Sequence, residues 1–419
     1  MSGTEAAGRG HAGRDDVGRA HPSGGHVGRA PTGRMGVGVI GAGNISEQYL
    51  GNLTRFPDLD VRFVADLDPL RAEAQAARFG VPRAGTVDAL LDDDGVELVV
   101  NLTVPAAHVD VGLRVLESGR HVFAEKPLAL DLADGRRLLR RAGALGLRVG
   151  SAPDSFLGGG LQAAQRLVDD GAIGTPLTAI VLFQGTGPES WHPNPEFLFA
   201  PGAGPLFDMG PYSLTALVQL LGPVARVSAA SSRSRPTRTI GSGPRAGTEF
   251  PVLVPTYHAA LLEFRDGGIA QAVFSFQSPR RVPTVLEVAG TSGAIALPDP
   301  NSFHGTTMLW RVDADDPNAP VEVRVEASGD TRGIGVVELA RAIRAGVPAR
   351  ASGELALHVL EVMSAVRDAA SGGAPVRLSS EVERASALPA GWDPRAATLA
   401  DPNAGPPTDP HGAETRVPA

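Results

Sequence analysis

Hydrophobic residues in this sequence recur with alternating strand-like and helix-like spacing between residues 35 and 151. A short apolar run at Val37–Ile40 precedes a helix-like stretch at 45–53, and a second apolar run follows at 60–66. The remaining predicted elements are helix 68–79, a short strand near 81–84, helix 86–92, strand 97–105, helix 106–118, strand 121–125, helix 131–145 and strand 147–151. Apolar strands separated by amphipathic helices predict a doubly wound parallel sheet, an α/β architecture.

The pattern becomes rich in β-strand signals after residue 176. Hairpins are predicted within 176–184, 257–277 and 284–298, and helices at 335–346 and 354–371. With 419 residues the chain is long enough for two cores, so we predict a first domain at 35–152 and a second at 153–397.

The two ends of the sequence have a different composition. Residues 1–34 contain five Gly-Arg pairs and no Leu, Ile, Phe or Trp, and residues 398–419 are rich in Pro and Gly. Such segments cannot bury enough apolar surface to offset the entropy of ordering. We therefore predict a disordered arm at 1–34 and a disordered tail at 398–419.

Charge and residue usage exclude several classes of function. The net charge of −8 argues against a nucleic-acid surface, and no apolar run approaches the roughly 18 residues that cross a bilayer. The absence of cysteine excludes disulfides and thiolate chemistry, and the ten histidines show no metal-binding spacing. We predict a cytoplasmic enzyme with no metal, nucleic-acid or membrane partner.

A glycine-rich turn follows the first strand. Gly41, Gly43 and Ser46 fall at the G-x-G-x-x-G/A spacing between a strand and a helix, which is the context of a dinucleotide-binding turn. Gly41 allows the tight turn and Gly43 lets the backbone approach a pyrophosphate. Asn44 and Ile45 open the helix whose N-terminus would bind that pyrophosphate.

An acidic residue closes the second strand. Asp66 lies 20 residues past Ser46, where a carboxylate hydrogen-bonds the ribose hydroxyls of NAD and repels the 2′-phosphate of NADP. Asp66 could instead only cap the following helix. We favour NAD over NADP as the cofactor.

The strand at 121–125 ends in Glu125, Lys126 and Pro127. Ligands in doubly wound sheets lie beyond the carboxyl ends of the strands, so Lys126 would project beside the cofactor. Pro127 stiffens the turn, and the Lys126–Pro127 bond is a candidate for the cis form. We expect the positive ring of the cofactor and partial desolvation to lower the pKa of Lys126, so that it could exchange protons near neutrality. The alternative is a surface lysine without function.

Four segments together resemble the Gfo/Idh/MocA family of sugar and cyclitol oxidoreductases. They are "GVIGAGNIS" at 38–46, Asp66, "NLTVPAAH" at 101–108 and "AEKP" at 124–127, and the resemblance extends over about 35–390. It implies an N-terminal Rossmann domain and a C-terminal domain built on a large open, mainly antiparallel sheet. It also implies a homodimer or homotetramer that pairs through that sheet.

The resemblance assigns roles to further residues. Lys126 matches the catalytic lysine of the family, and Asp208 matches the aspartate of its D-x-G-x-H landmark. Tyr212 stands where the family has histidine. His192, beside Trp191 in a proline-rich loop, is the alternative source of that group, and we leave the two open. Trp191 suits the face of a sugar ring.

The same resemblance extends the predicted cofactor site and substrate pocket. The residues expected on the cofactor side are Thr103, Pro105, His108 and Glu125. His108 is expected to support the structure of the site rather than to act as a base. Asp154 stands near a position where many family members carry arginine. An acid at the pocket mouth favours a neutral polyol over an anionic substrate.

These features predict an NAD-dependent oxidoreductase that transfers a hydride between nicotinamide and a hydroxyl-bearing carbon of a neutral sugar, glycoside or cyclitol. Lys126, Asp208, Tyr212 and His192 are the catalytic candidates. Two alternatives remain: an NAD-assisted glycoside hydrolase or lyase that oxidises its substrate transiently, and a non-catalytic NAD-binding sensor.

Overall fold

The computed structural model describes residues 33–324 and 331–399, and the first of its two large sheets is the predicted parallel one. Its six strands are β1 (Met35–Ile40), β2 (Leu59–Ala65), β3 (Arg83–Gly85), β4 (Leu98–Asn101), β5 (His121–Ala124) and β6 (Val149–Ser151). They lie in the order β3-β2-β1-β4-β5-β6, and every neighbouring pair is parallel. The strand order reverses direction at β1 and β4, which creates a crevice at their carboxyl ends.

Helices connect these strands, as the alternating pattern predicts. They are α1 (Asn44–Leu53), α2 (Pro69–Phe79), α3 (Val87–Leu91), α4 (His108–Glu117) and α5 (Leu132–Leu145). Asp68 caps α2 by accepting from Leu70 N, and Asp131 caps α5 by accepting from Asp134 N. The predicted strand 97–105 was too long, because the chain turns at Asn101 and forms a single 3₁₀ turn at 105–107.

The second large sheet has nine strands. They are β7 (Pro176–Gln184), β8 (Val224–Ser232), β11 (Tyr257–Phe264), β12 (Ile269–Ser275), β13 (Val285–Gly290), β14 (Gly293–Ala296), β15 (Thr307–Arg311), β16 (Val321–Val323) and β17 (Val376–Arg377). The order is β16-β15-β14-β13-β7-β12-β11-β8-β17, and only the pair of β7 and β12 is parallel. The sheet is therefore mainly antiparallel.

Four helices complete this part of the chain: α6 (Gly159–Asp169), α7 (Pro205–Leu221), α8 (Ile334–Ala345) and α9 (Gly353–Gly372). Helix α7 is buried on nearly all sides, and it packs on β7, β11 and β12 and against α9. The opposite face of the sheet is not covered by any helix that the structure describes. Within the described ranges, no helix has the length and apolar character needed to cross a membrane.

A small hairpin extends the second sheet region. Strands β9 (Thr237–Thr239) and β10 (Glu249–Pro251) pair with each other and enclose a separate core of Phe199, Ile240, Phe250, Val252 and Phe276. The buried guanidinium of Arg238 binds Glu189 and packs over the ring of Phe199. This pair fixes the loop between β7 and α7.

The chain returns to the first sheet before it ends. Arg344 on α8 donates to Glu97 (2.6 Å) and to the carbonyls of Gly33 and Arg34. Helix α8 belongs to the second predicted domain (153–397), but it packs beside the parallel sheet of the first (35–152). Of the predicted arm, only residues 33 and 34 lie within the described ranges.

Asp58, which is fully buried beside β2, anchors the C-terminal segment. Its carboxylate accepts from Arg341 Nε (2.7 Å), Thr398 N (2.7 Å), Thr398 Oγ1 (2.6 Å) and Leu399 N (2.7 Å). Thr398 and Leu399, the first two residues of the predicted tail, are therefore held against the first sheet. The rest of that predicted tail lies outside the described residues.

Because His358 on α9 is buried, we expect acid to destabilise the protein. Its Nε2 accepts from Val224 N (2.9 Å), and burial lowers the pKa of His358 from 6.5 to about 4. Between those pH values the unfolded chain binds a proton that the folded chain does not. The free energy of unfolding should therefore fall as pH drops from 6.5 to 4, by up to ~3 kcal/mol for this residue.

Denaturant unfolding at pH 6.5 and pH 4.5 measures this contribution. A His358→Gln variant should lose less stability on acidification than the wild type, while a variant of the exposed His304, His304→Gln, should match the wild type. Equal pH dependence in all three proteins would contradict the assignment.

Candidate active site

The glycine-rich turn has the geometry of a phosphate-binding turn. Gly41 has a φ of +103°, and a Cβ on it would lie 2.7 Å from the carbonyl of Leu102. Gly43 precedes α1 without any side-chain cap, and a Cβ on it would meet no protein atom within 4 Å. The space beside Gly43 at the N-terminus of α1 is therefore open, which fits a pyrophosphate at the positive end of the helix dipole.

Asp66 lies at the carboxyl end of β2 and contacts this turn directly. Its Oδ2 accepts from Ala42 N (2.7 Å) and its Oδ1 accepts from Asp68 N (2.9 Å). Asp68, not Asp66, caps helix α2. The reading in which Asp66 serves only as a helix cap is therefore wrong, and the carboxylate lies where a cofactor ribose would be bound.

The loop after β4 is tied to the loop after β5. Asn101 is fully buried; its Nδ2 donates to His108 O (3.0 Å) and its Oδ1 accepts from Thr103 Oγ1 (2.7 Å). The His108 ring is 1% exposed, and its two nitrogens lie 2.7 Å from Pro127 O and 2.9 Å from Thr103 O. Pro105 opens the 3₁₀ turn between them. His108 has no free nitrogen for a ligand, so its contribution to a cofactor site is indirect.

Lys126 leaves the end of β5 through the predicted cis bond to Pro127. Its Nζ lies 3.1 Å from Asp208 Oδ1 and 3.0 Å from Asp208 O, and the two side chains retain 18% and 24% exposure. Asp208 is in the first turns of α7, from the other half of the chain. The ammonium and the carboxylate therefore converge at an open crevice beside the glycine-rich turn.

Tyr212 lies one helical turn after Asp208, so both side chains are on the same face of α7. The Lys126 ammonium lies 5.3 Å from the centre of the Tyr212 ring, within the range of a cation–π contact. The residue is 6% exposed. Burial raises the pKa of Tyr212, so the phenol is neutral at pH 7.

With this geometry in place, the comparison with known proteins is decisive. Residues 35–152 match the family model described as "Oxidoreductase family, NAD-binding Rossmann fold", and residues 161–296 match the GFO/IDH/MocA C-terminal domain. A dTDP-3,4-didehydro-2,6-dideoxy-alpha-D-glucose 3-reductase of Streptomyces antibioticus is 30% identical over 286 residues, which are 66% of this chain and 80% of the reductase. The chain belongs to the Gfo/Idh/MocA oxidoreductase family.

Other members of the family extend the match. An uncharacterized oxidoreductase of Rhizobium meliloti is 28% identical over 344 residues, 80% of this chain and 96% of the relative. A levoglucosan dehydrogenase solved with NADH and L-sorbose superposes with a TM-score of 0.72 at 20% identity, covering 83% of this chain and 99% of that one. The predicted family, fold class and NAD-binding oxidoreductase activity are confirmed.

The protein's own groups shift the pKa of Lys126 in the direction opposite to the expected one. Burial alone would lower it, but Tyr212, Asp208 and Glu125 outweigh burial and raise the pKa above its ordinary value. Because the phenol is neutral at pH 7, the two carboxylates are the charges that act there. The ammonium is therefore the resting form of Lys126.

Asp154 does not lie at a pocket mouth, so the prediction that it contacts substrate was also wrong. The side chain is fully buried, and its Oδ2 accepts from Gly333 N (2.8 Å) and Gly335 N (3.1 Å) at the start of α8. Burial raises the pKa of Asp154 to about 6. The carboxylate of Asp154 therefore holds the start of α8 and does not bind a sugar hydroxyl.

Trp191 and His192 lie in the loop between β7 and α7. The His192 ring packs edge-on between Trp191 and Phe197, and its Nδ1 accepts from Asn194 N (3.0 Å). Trp191 is 64% exposed. No hydrogen bond or ion pair among the described residues links His192 to Lys126 or Asp208.

Two features of the site escaped sequence reasoning. Tyr49 and Arg332 both contact Glu125, although they lie 76 and 207 residues from it in sequence. The other was visible in the sequence: Lys126 is the one lysine among 419 residues, and every other permanently cationic side chain is arginine. Arginine cannot exchange a proton near neutrality, so among the lysine and arginine side chains only Lys126 is suited to proton transfer.

Proposed function

We propose that this protein interconverts a carbinol and a carbonyl group on a sugar-like substrate, with Lys126 as the proton-exchanging residue. The observation that carries the proposal is the contact of Lys126 Nζ with Asp208 at the carboxyl end of β5. That end of the sheet also carries the glycine-rich turn and Asp66. A proton donor and a dinucleotide site at one crevice suit hydride transfer.

The cofactor site is proposed to use the groups that surround the turn. The backbone at Gly41, Gly43, Asn44 and Ile45 would bind the pyrophosphate of NAD, and Asp66 would bind the ribose hydroxyls. Thr103, Pro105 and Glu125 line the ends of the neighbouring strands and would complete the nicotinamide side. The carboxylate of Asp66 disfavours the extra phosphate of NADP.

The proton chemistry follows from the charge state of Lys126. When bound, the cofactor accepts a hydride in its oxidised form and donates one in its reduced form. In the direction of reduction, Nζ donates a proton to the carbonyl oxygen. In the direction of oxidation, neutral Nζ accepts the hydroxyl proton, so the ammonium must first release its own proton. Asp208 holds the amino group of Lys126 in place in both directions.

Tyr212 is the better supported of the two replacements for the family histidine. Its ring lies against the Lys126 ammonium and its phenol can donate or accept a hydrogen bond. His192 has no comparable contact, and its catalytic role, like the contact of Trp191 with substrate, stays a prediction.

The proposed substrate class now rests on the relatives. The reductase of Streptomyces antibioticus and the levoglucosan dehydrogenase bear names of sugar-directed enzymes. Asp154 no longer supports a neutral substrate, because it lies behind the site.

A panel assay tests the function. NADH fluorescence should change with at least one sugar, glycoside or inositol, and NADP should give a weaker response than NAD. Release of free sugar without net NADH would favour the hydrolase, and NAD binding without turnover of any panel member would favour the sensor.

We also propose that the uncovered face of the nine-stranded sheet pairs with a second copy of the chain. Ile180, Leu261 and Ile269 are 47–49% exposed on adjoining strands of that face. An exposed apolar patch of this kind indicates an interface. The cytoplasmic location stays a prediction from the sequence.

Sedimentation measures this pairing. Ile180→Glu should shift the protein toward a smaller assembly, while Val347→Glu, at an exposed apolar residue outside the sheet, should not. A wild-type protein that sediments as a monomer would contradict the pairing.

A further inference from the structure

Arg332 reaches the crevice from the far end of the chain. Its backbone is held at the start of α8 because Asn52 Nδ2 donates to Arg332 O (2.9 Å) and to Thr331 Oγ1 (3.0 Å). Asp154 accepts from the next N–H groups, those of Gly333 and Gly335. A Cβ on Gly335 would lie 2.7 Å from that of Asp154, so the close approach requires glycine. The side chain of Arg332 is therefore fixed behind the carboxyl ends of β5 and β6.

Glu125 connects this arginine to the lysine. The guanidinium of Arg332 lies 3.5 Å from Glu125 Oε1, and the two side chains are 13% and 10% exposed. The same oxygen accepts from the Tyr49 hydroxyl (2.8 Å), and Oε2 accepts from the backbone N–H of Lys126 (3.0 Å). Glu125 thus holds the backbone of Lys126 on one side and the charge of Arg332 on the other.

The charges around Lys126 determine how readily its ammonium releases a proton. The carboxylates of Asp208 and Glu125 both favour the ammonium form of Lys126. Arg332 is a permanent cation that opposes the field of Glu125 at the same place. Without it, a buried carboxylate would act on Lys126 unopposed, and the ammonium would release its proton less readily.

We propose that Arg332 is a positioning residue of the reaction, which acts through Glu125 to fix the backbone and the charge environment of Lys126. The proposal rests on the proposed role of Lys126 in hydride-transfer chemistry. The groups that face this cluster are Tyr49 from α1, Asp154 from the loop after β6, and Asp208 and Tyr212 from α7.

Two orphaned atoms support a functional rather than a purely structural arginine. Arg332 Nε and Asp154 Oδ1 are both buried without a hydrogen-bond partner among the described residues. Each buried polar atom without a partner costs free energy, so stability alone does not explain this arrangement. The guanidinium of Arg332 instead lies beside Glu125, where its charge changes the electrostatic field at Lys126.

The single lysine makes the test direct. Protein labelled with ¹⁵N or ¹³C at lysine carries one side-chain resonance, and its titration reports the pKa of Lys126 without any substrate. In Arg332→Met this pKa should rise by about one unit, since the field of Glu125 is no longer opposed at a separation of several ångströms. In Glu125→Gln the pKa of Lys126 should fall.

Kinetics supply the second readout. The profile of kcat/KM against pH should show an apparent pKa that belongs to Lys126. This apparent pKa should shift in the same direction as the NMR titration, upward in Arg332→Met and downward in Glu125→Gln. Arg350→Met is the matched control, because Arg350 follows the C-terminal end of α8 and pairs with the buried Glu338 of that helix (3.1 Å). This control should lose stability and keep the wild-type pH profile.

The outcomes separate the two hypotheses. An Arg332→Met protein with an unshifted lysine resonance and an unshifted profile would overturn the role of Arg332 alone. Full activity in a variant without Lys126 would overturn the proposed function, and with it the reason for positioning that residue.

Discussion

Replacing Lys126 by alanine is expected to lower kcat by about 10²–10⁴-fold, the usual contribution of a positioned acid–base group. The ammonium is the proposed proton donor and contacts Asp208, and no second lysine exists in the sequence that could substitute for it. The NAD dissociation constant should stay close to that of the wild type, because the proposed pyrophosphate and ribose contacts are at Gly43 and Asp66.

The measurement is a kcat determination with a substrate from the panel, together with NAD binding by calorimetry. Lys126→Arg is the matched variant: it keeps the positive charge but cannot exchange a proton near neutrality, so it should be as inactive as alanine. Activity retained in the arginine variant would show that only the charge is needed, and the assignment of proton transfer would then fail.

Replacing Asp58 by alanine is expected to lower the free energy of unfolding by about 3–5 kcal/mol, the range for breaking a buried ion pair. The change would leave the guanidinium of Arg341 without its carboxylate and would free three donors of Thr398 and Leu399. Arg341 also packs over the ring of Trp392, 4.9 Å from its centre, so the C-terminal segment would lose its anchor at two points.

Denaturant unfolding gives this value, with Asp60→Ala as the control. Asp60 lies two residues away, is 40% exposed and pairs with Arg62. Exposed pairs contribute at most about 1 kcal/mol. Similar losses in the two variants would mean that the buried carboxylate does not anchor the segment.

The elements around the crevice at the carboxyl ends of the parallel strands could be predicted because their sequence signals are local. A strand, a glycine-rich turn and a helix follow one another within 38–53, and Lys126 follows directly on its strand. Asp208 was placed correctly beside Lys126 only through the family resemblance. Nothing in the spacing of residues 82 positions apart indicates such a contact.

The residues behind the crevice could not be predicted in the same way. Asp154 was expected to contact substrate, but its partners are backbone N–H groups at 333 and 335. The pKa of Lys126 was expected to fall, but the charges that raise it arrive from α7 and from Glu125. Both errors arise from tertiary contacts, since burial and charge at a site depend on segments that are distant in sequence.

The composition of basic residues also has a practical consequence for handling the protein. Reagents that acylate or cross-link primary amines have two kinds of target here, the chain's α-amino group and the ε-amino group of residue 126. Coupling to an activated ester support would therefore use either the α-amino group or Lys126, the proposed proton donor. Attachment through carboxylates leaves that amine untouched.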